Sequence, residues 1–401
     1  MSALRLLTTL VLCSLLGACV SQSVKSTSVP AIATASESVP EALLLDVGIA
    51  IFDPGLEEYD EDQQVYPEVR KAEARYMPGQ LSQAMQESAA WGAVRVVPDA
   101  GQIADLMVQG RILHSDGEEL KVHITATDAR GFVWLDRDYS GNASRYAYDL
   151  TTRSRQDPFQ AVYNTIANDL LAKQESLDAD DRRQLRLVTE LLFARSFSPD
   201  AFDGYLGKNR KDKYLVLRLP AENDPMLERV RSIRERDQMF IDTLQEYYGN
   251  FSSAMHGPYQ EWRKLSYEEA MAMQELRAES TRRLIAGGVA VLAGIAAAGS
   301  SDGSSRAAGN VAIIGGGYLL KSGLEKRNEA QIHVEALEEL GLSLEAEITP
   351  QVIELEDRTV MLSGNVEDQY AQWRELLADI YRAEIGALEM PEAAAAATDT
   401  L

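Results

Sequence analysis

Alternating apolar and polar positions mark a run of three strands in the first half of the chain. The pattern has the two-residue period of strands with one buried face, and short turns containing Asp, Arg and Gly separate its segments. Two earlier, continuous apolar stretches indicate buried strands. The five predicted strands cover residues 43–52, 94–97, 104–114, 120–128 and 132–139.

Two helices complete this first unit. Apolar residues recur at helical spacing from Glu68 to Ala90, with Pro78 opening the second half of the pattern. A second helix is predicted from Asp157 to Gln174, with Asp157 as its N-cap and Pro158 in its first turn. The order strand, helix, strand, meander, helix predicts an α/β sandwich over residues 42–175, with helices packed on a mixed sheet.

The middle of the chain, residues 176–265, has helical patterns. One helix is predicted from Asp178 to Arg195 and another from Asp224 to Tyr248, with a short strand or extended link at 214–219 between them. A cluster of aromatic residues overlaps the end of the second helix. Such clusters are typical of helix-packing cores, although they also stack on sugars. The cluster comprises Tyr247, Tyr248, Phe251, Tyr259, Trp262 and Tyr267.

Residues 266–336 predict a long helical hairpin whose tip, 284–323, is rich in glycine and alanine. Small residues four positions apart give each arm a smooth face on which helix backbones approach closely, and this pattern resembles the glycine-zipper segments of outer-membrane lipoproteins. Two interpretations stay open, a tip that enters a membrane and a close-packed hairpin outside it. The candidate residues for membrane contact or self-association are Gly287, Gly294, Ala298, Ala312 and Gly316.

The C-terminal part, residues 337–386, predicts a small αββα unit, and the alanine-rich residues 387–401 predict a disordered tail. The stretch VIELEDRTVMLSGNVEDQYAQWRELL resembles half of a BON domain, a module with which envelope proteins bind surfaces or partners. The whole chain is therefore expected to be α+β, with an N-terminal sandwich, a helical middle, the hairpin and this unit.

The first residues predict a lipid-anchored envelope protein. An apolar run from Leu6 to Leu16 follows Arg5 and is too short to span a bilayer, which is typical of a signal peptide. Its end, Leu16-Gly17-Ala18-Cys19, resembles the lipobox of bacterial lipoproteins. That resemblance implies cleavage after Ala18 and acylation of Cys19. Val20 and Ser21 favour an outer-membrane lipoprotein that faces the periplasm, and residues 19–41 predict a disordered tether.

A second resemblance concerns the predicted sandwich. The sequence ADLMVQGRIL, followed by a hairpin and a helix, is similar to the periplasmic domain shared by the curli secretion lipoprotein and the lipoprotein activator of a penicillin-binding protein. The likeness implies an interaction module in envelope assembly, and it transfers no catalytic residue.

Charge and chemistry narrow the function further. A formal net charge of −23 disfavours nucleic acid as a partner. The two cysteines, Cys13 and Cys19, lie in the predicted signal peptide and at the lipobox, so no disulfide is expected in the mature chain. No catalytic motif is present, and the four histidines lack the spacing of metal ligands. We therefore expect no catalytic site, no metal site and no cofactor.

These observations favour a non-catalytic periplasmic scaffold or interaction module. Its expected partners are the outer membrane, through the anchor, and other envelope proteins, with self-association through the hairpin as a further prospect. One alternative is an oligomeric pore or secretion component that uses the glycine-rich hairpin in a membrane. A second alternative, an enzyme acting on glycan or peptidoglycan, requires the aromatic cluster to lie beside paired carboxylates in a cleft.

Overall fold

The computed structural model describes residues 29–36, 39–57, 65–148, 157–221, 223–297, 351–354 and 359–389, with a few positions between 332 and 342. For residues 273–297 the description covers the backbone alone. The fold is α+β, as the sequence predicts.

A mixed five-stranded sheet forms the centre of the N-terminal part. Its strands are β1 (Val47–Ala50), β2 (Val94–Val97), β3 (Leu106–Ser115), β4 (Glu119–Asp128) and β5 (Val133–Asn142), in the spatial order β2-β1-β3-β4-β5. β1 runs parallel to both of its neighbours, and β3, β4 and β5 form the predicted antiparallel meander. All five strands lie where the hydrophobic pattern places them, with shifts only at their ends.

Six α-helices have both of their ends within the described residues. They are α1 (Pro67–Glu87), α2 (Gln160–Glu175), α3 (Ala179–Phe197), the one-turn α4 (Pro199–Phe202), α5 (Pro225–Ala297) and α6 (Val366–Glu389). Two short hairpins accompany them, β6 (Leu206–Lys208) with β7 (Tyr214–Val216), and β8 (Gln351–Glu354) with β9 (Thr359–Leu362). Asp178 caps α3 as predicted, since its side chain accepts a hydrogen bond from the Asp181 N–H.

The two faces of the sheet are covered differently. α1 and α2 pack over one face, where residues such as Met85 and Tyr163 join Val122 in a continuous apolar core. On the other face α3, α5 and α6 pack near β1 and β2, and Met107 belongs to that second core. Both cores therefore include the sheet, so the predicted first unit and helical region are packed together.

Helix α5 differs most from its predicted form. The sequence pattern predicts a helix that ends at Tyr248 and another that begins near Ser266, whereas one continuous helix of 73 residues, about 110 Å long, joins them. The aromatic cluster lies inside this helix, and Tyr248, Tyr259 and Trp262 are buried. The rings pack against α1 and neighbouring elements, as the interpretation of a helix-packing core expects.

A buried ion pair joins α5 to the sandwich. The Arg263 guanidinium donates to Asp157 Oδ2 at 2.7 Å, and the two side chains are 0% and 1% exposed. Asp157 Oδ1 also accepts a hydrogen bond from the Phe159 N–H at 2.9 Å, the bond expected of the predicted cap, although the regular helix begins two residues later, with Phe159 at its boundary.

A close backbone contact lies beside this ion pair. Gly117, in the β3–β4 turn, faces α5 so closely that an added Cβ would lie 1.9 Å from the Arg263 carbonyl oxygen. The Gly117 N–H donates to Ser266 Oγ at 3.2 Å. Glycine is required here because the turn and the helix backbone meet without room for a side chain.

α5 also covers the edge strand β2. The Gln245 side-chain amide accepts a hydrogen bond from the Val96 N–H at 2.9 Å and donates to the Val96 carbonyl at 2.8 Å. Arg95 donates two hydrogen bonds to Asp242, at 2.6 and 3.0 Å. These contacts satisfy backbone groups that an uncovered sheet edge leaves unpaired.

Residues 29–36 differ from the prediction of a free tether over 19–41. Asn164 donates to the Pro30 carbonyl at 2.8 Å, Asn168 accepts from the Ala33 N–H, and Glu175 accepts from Ser36. The backbone of this segment is therefore held along α2. Most of these hydrogen bonds join side chains of the helix to the backbone of the segment, and the Ser36 hydroxyl adds one from its own side chain, to Glu175 Oε1 at 2.8 Å.

The C-terminal strands and helix lie where they are predicted, and α6 packs against α5. Phe240 and Trp373 stack with ring centroids 4.9 Å apart, and Arg236 bonds to Glu384 at 3.0 Å. Of the predicted hairpin, the first arm is the end of α5. The structure describes the tip only as far as Ala297, and the rest of the tip and most of the second arm lie outside the described residues.

Candidate functional site

A cleft of about 410 Å³ opens where the sheet, α3, α5 and α6 meet. Its walls come from β1, β2 and the loop that leads into β3, from the first half of α5 and from the start of α6. This volume is in the range of small-ligand sites. The polar side chains of the lining include Arg95, Gln102, Arg234, Asp237, Glu367 and Arg374.

Small residues keep the cleft open. Gly48, Gly101, Ala104 and Ala371 all line it. At Gly48 an added Cβ would approach the Met107 methyl to 2.9 Å, so a larger residue there would require the Met107 side chain to shift. The apolar part of the wall includes Ile241 of α5. A ligand would therefore meet both apolar surface and charge.

Asp237 and Arg374 form an ion pair across one wall. Arg374 Nη1 lies 3.4 Å from Asp237 Oδ2, and the Asp237 side chain is only 8% exposed. Burial raises the pKa of the Asp237 carboxyl, and the positive charge of Arg374 opposes that shift. Arg374 also lies over the Phe197 ring, 4.8 Å from its centroid. This pair joins α6 to α5, while Asp237 Oδ1 is buried and has no hydrogen-bond donor among the described residues.

Two aspartates fix the loops at the other wall. Asp105 is 1% exposed and accepts a hydrogen bond from the Asp46 N–H at 2.9 Å. Burial raises the pKa of the Asp105 carboxyl. Asp46 in turn accepts from the Ala93 N–H at 2.9 Å. These bonds tie the starts of β1 and β3 to the loop before β2, and Asp46 itself lines the cleft.

Arg234 differs from the other cleft arginines. Arg95 is paired with Asp242 and Arg374 with Asp237, whereas the Arg234 guanidinium makes no hydrogen bond or ion pair with any residue that the structure describes. Its charge does act on the two buried carboxyls, Asp105 and Asp237, whose pKa it lowers against the effect of burial. Arg234 is thus the cleft cation that is available to an incoming carboxylate or phosphate.

Gln102 adds a second donor. Its Nε2 atom is buried and has no hydrogen-bond acceptor among the described residues. An amide donor and a guanidinium in one cleft fit a ligand with hydrogen-bond acceptors. The aromatic cluster of α5 does not contribute to the lining, so the arrangement that the enzyme alternative requires is not formed in this cleft.

The candidate residues that the sequence pattern singles out lie elsewhere. Ala18, Cys19, Ala298, Ala312 and Gly316 are outside the described residues, and Gly287 and Gly294 lie in the last turns of α5. Cleavage, acylation and self-association at these residues stay predictions. The cleft itself was not predicted, because its residues come from four distant segments and charged residues are frequent throughout the chain.

Metal sites and membrane-spanning helices are absent from the described ranges. Within the described ranges, no group of three or more His, Cys, Asp or Glu side chains is arranged to hold a metal ion. The helices in those ranges include none with the length and apolar character needed to cross a membrane. Comparison with family models, with curated proteins and with solved structures gives no match for this chain.

Proposed function

We propose that this chain is a non-catalytic, lipid-anchored protein of the bacterial outer membrane, which faces the periplasm and acts as a scaffold for other envelope proteins. The lipobox pattern that ends at Cys19 supports the anchor. The observation that carries the scaffold role is the cleft, where Arg95 and Arg374 are paired with Asp242 and Asp237 but Arg234 is not paired among the described residues. Such a site suits binding of an acidic group on a partner.

The packing and the length of α5 suit the role of a scaffold. α5 packs on α1, β2, α3 and α6. Binding of a partner in the cleft would therefore act on elements that are all in contact with this helix. Beyond Tyr267, which packs against Tyr148, the helix backbone continues for thirty residues to Ala297, about 45 Å. The scaffold would therefore carry the glycine-rich segment at a distance from the cleft.

The runner-up is an oligomeric pore or secretion component. The observation that favours it is the position of Gly287 and Gly294 at the end of an uninterrupted helix. Several such helices could approach closely through their small residues.

Membrane fractionation tests the anchor and separates the two candidates. Three proteins are compared: the parent, Cys19→Ser, and Cys19→Ser with residues 284–320 replaced by a Gly/Ser linker. A tethered scaffold predicts that Cys19→Ser alone releases a monomer. Retention of Cys19→Ser in the membrane, with release only after the linker replacement, would support the pore. Release of neither variant would contradict both candidates.

Site-specific photo-crosslinking in cells tests the cleft. A benzophenone amino acid replaces Gln238, which lines the cleft, or its neighbour Met239, which is 60% exposed, as a matched control. We expect a discrete adduct from position 238 that weakens in the Arg234→Ala background, and none from position 239. Equal adducts from both positions, or an adduct unaffected by Arg234→Ala, would rule out the cleft as the partner site.

A further inference from the structure

The β6–β7 hairpin exposes an apolar face. Leu215, Leu217 and Leu219 alternate along the chain and are 47%, 65% and 71% exposed. The Leu217 N–H donates to the Tyr205 carbonyl at 2.8 Å, so strand pairing extends beyond β7 to this residue. Leu217 lies beside Gly207, which pairs with Leu215 across the hairpin. Leu215 and Leu217 therefore share one face of the hairpin, and Leu219 follows with the same spacing.

The opposite side of the hairpin already has its packing partners. Leu206 is 5% exposed and belongs to the core that includes α3. The Tyr214 hydroxyl accepts a hydrogen bond from Arg195 of α3 at 3.1 Å. One face of the hairpin therefore packs against the core, and the leucines face away from it. Large apolar side chains that are exposed together in this way mark contact surfaces.

The same segment is basic, although the chain as a whole is acidic. Residues 206–219 have a net charge of +4, against −23 for the whole chain. Arg210 and Lys211 are exposed at the turn between the strands. The cations in the segment are Lys208, Arg210, Lys211, Lys213 and Arg218, with Asp212 as the single acid.

A second turn extends this surface. The Tyr214 N–H donates to the Arg130 carbonyl at 2.9 Å, which places the hairpin beside the β4–β5 turn. Phe132 at the end of that turn and Val133 at the start of β5 are 43% and 52% exposed, and the Lys213 ammonium lies 5.6 Å from the centre of the Phe132 ring. The apolar side chains of the two turns and the cations around them form one patch, which we name the basic leucine patch (residues 131–133 and 206–219).

We infer that the basic leucine patch is a peripheral membrane-contact site that takes the surface of an anionic phospholipid bilayer. Leucine and phenylalanine side chains enter the boundary between head groups and acyl chains, while Lys and Arg attract lipid phosphates. Charge complementarity identifies the anionic bilayer as the occupant of the basic leucine patch. The patch is basic, whereas the acidic remainder of the chain is repelled by such a surface. This contact goes beyond the proposed function, since it needs neither the acyl anchor nor the 284–323 segment.

Vesicle flotation tests the inference on the Cys19→Ser protein, which cannot be acylated. The vesicles are phosphatidylcholine alone or phosphatidylcholine containing phosphatidylglycerol, at low and high salt. We expect the protein to float with the anionic vesicles only, and less so at high salt because the ions screen the attraction. A protein that stays unbound at low salt would overturn the inference.

Two patch variants and one control locate the contact. Leu217→Ser with Leu219→Ser should weaken binding about tenfold or more, given the transfer free energy of two leucines. Arg210→Glu with Lys211→Glu should abolish the preference for anionic vesicles. The control, Met239→Ser with Met361→Ser, removes side chains that are 60% and 64% exposed elsewhere and should bind as the parent does.

Other outcomes would assign the patch differently. Leucine variants that bind vesicles as well as the parent would overturn the inference and transfer the lipid contact to another segment. Loss of binding in the methionine control would mean that exposed apolar area anywhere suffices, which also overturns it. If the parent self-associates in sedimentation and the leucine variant is monomeric, with no vesicle binding by either, the occupant is a second copy of this chain.

Discussion

The Arg263–Asp157 ion pair provides the sharpest test of how α5 is held. In Arg263→Met, Asp157 Oδ2 keeps only long hydrogen bonds, from Gln260 at 3.3 Å and Tyr76 at 3.4 Å, in place of the 2.7 Å bond from Arg263. Removing one partner of a buried pair costs about 3–5 kcal/mol. The lost stacking of Arg263 on the Tyr259 ring, 3.8 Å from its centroid, adds to that cost.

We therefore expect Arg263→Met to lower the free energy of unfolding by about 4 kcal/mol. With a urea m-value of roughly 3 kcal/mol per molar, the midpoint followed by circular dichroism falls by more than about 1 M. The double variant with Asp157→Asn, which removes the uncompensated charge, should recover part of the loss. Arg231→Met is the matched control on the same helix, because its bonds to Glu190 and Glu228 are partly exposed and worth about 1 kcal/mol or less.

Two results would refute this reasoning. One is an Arg263→Met variant no less stable than Arg231→Met, which would mean that the ion pair does not hold α5 on the sandwich. The other is a double variant that is destabilised by the sum of the two single effects, since groups in direct contact should be coupled.

Three further predictions concern the same interface and its surroundings. Gly117→Ala should destabilise the protein by at least about 2 kcal/mol, because the added Cβ collides with the α5 backbone. Gly249→Ala has open space around it and should stabilise the protein by about 0.5–1 kcal/mol. The urea midpoints of the two variants, compared with that of the parent, test both predictions. Gln245→Leu should cost about 1–3 kcal/mol in the same assay, because both edge groups of β2 lose their partner. A hydrogen bond to Asp116 raises the pKa of His114, so its contribution is full below the ordinary value of about 6.5 and is lost as pH rises through the raised value. The Tm of the parent should fall over that range more than that of His114→Gln, and equal slopes would contradict the assignment.

The local elements follow from the chain itself. The alternation of apolar and polar residues in β4 and the capping by Asp178 act over a few positions, so the pattern suffices to place these elements. α5 shows the limit of this approach. Its apolar periodicity is broken by the aromatic cluster and by Pro258, and its continuity is supported by packing on several elements at once.

The inferences about function also divide into those that rest on the sequence alone and those that need the tertiary structure. The sequence alone determines the predicted address of the chain, since a short apolar run ending in Leu16-Gly17-Ala18-Cys19 needs no tertiary structure to be recognised. Only the tertiary structure decides that Arg234 lies in a cleft with no partner among the residues described, and that Leu217 faces outward. An arginine or a leucine has the same chemistry wherever it lies. What differs is which distant segments pack against it, and that depends on the arrangement of the whole fold.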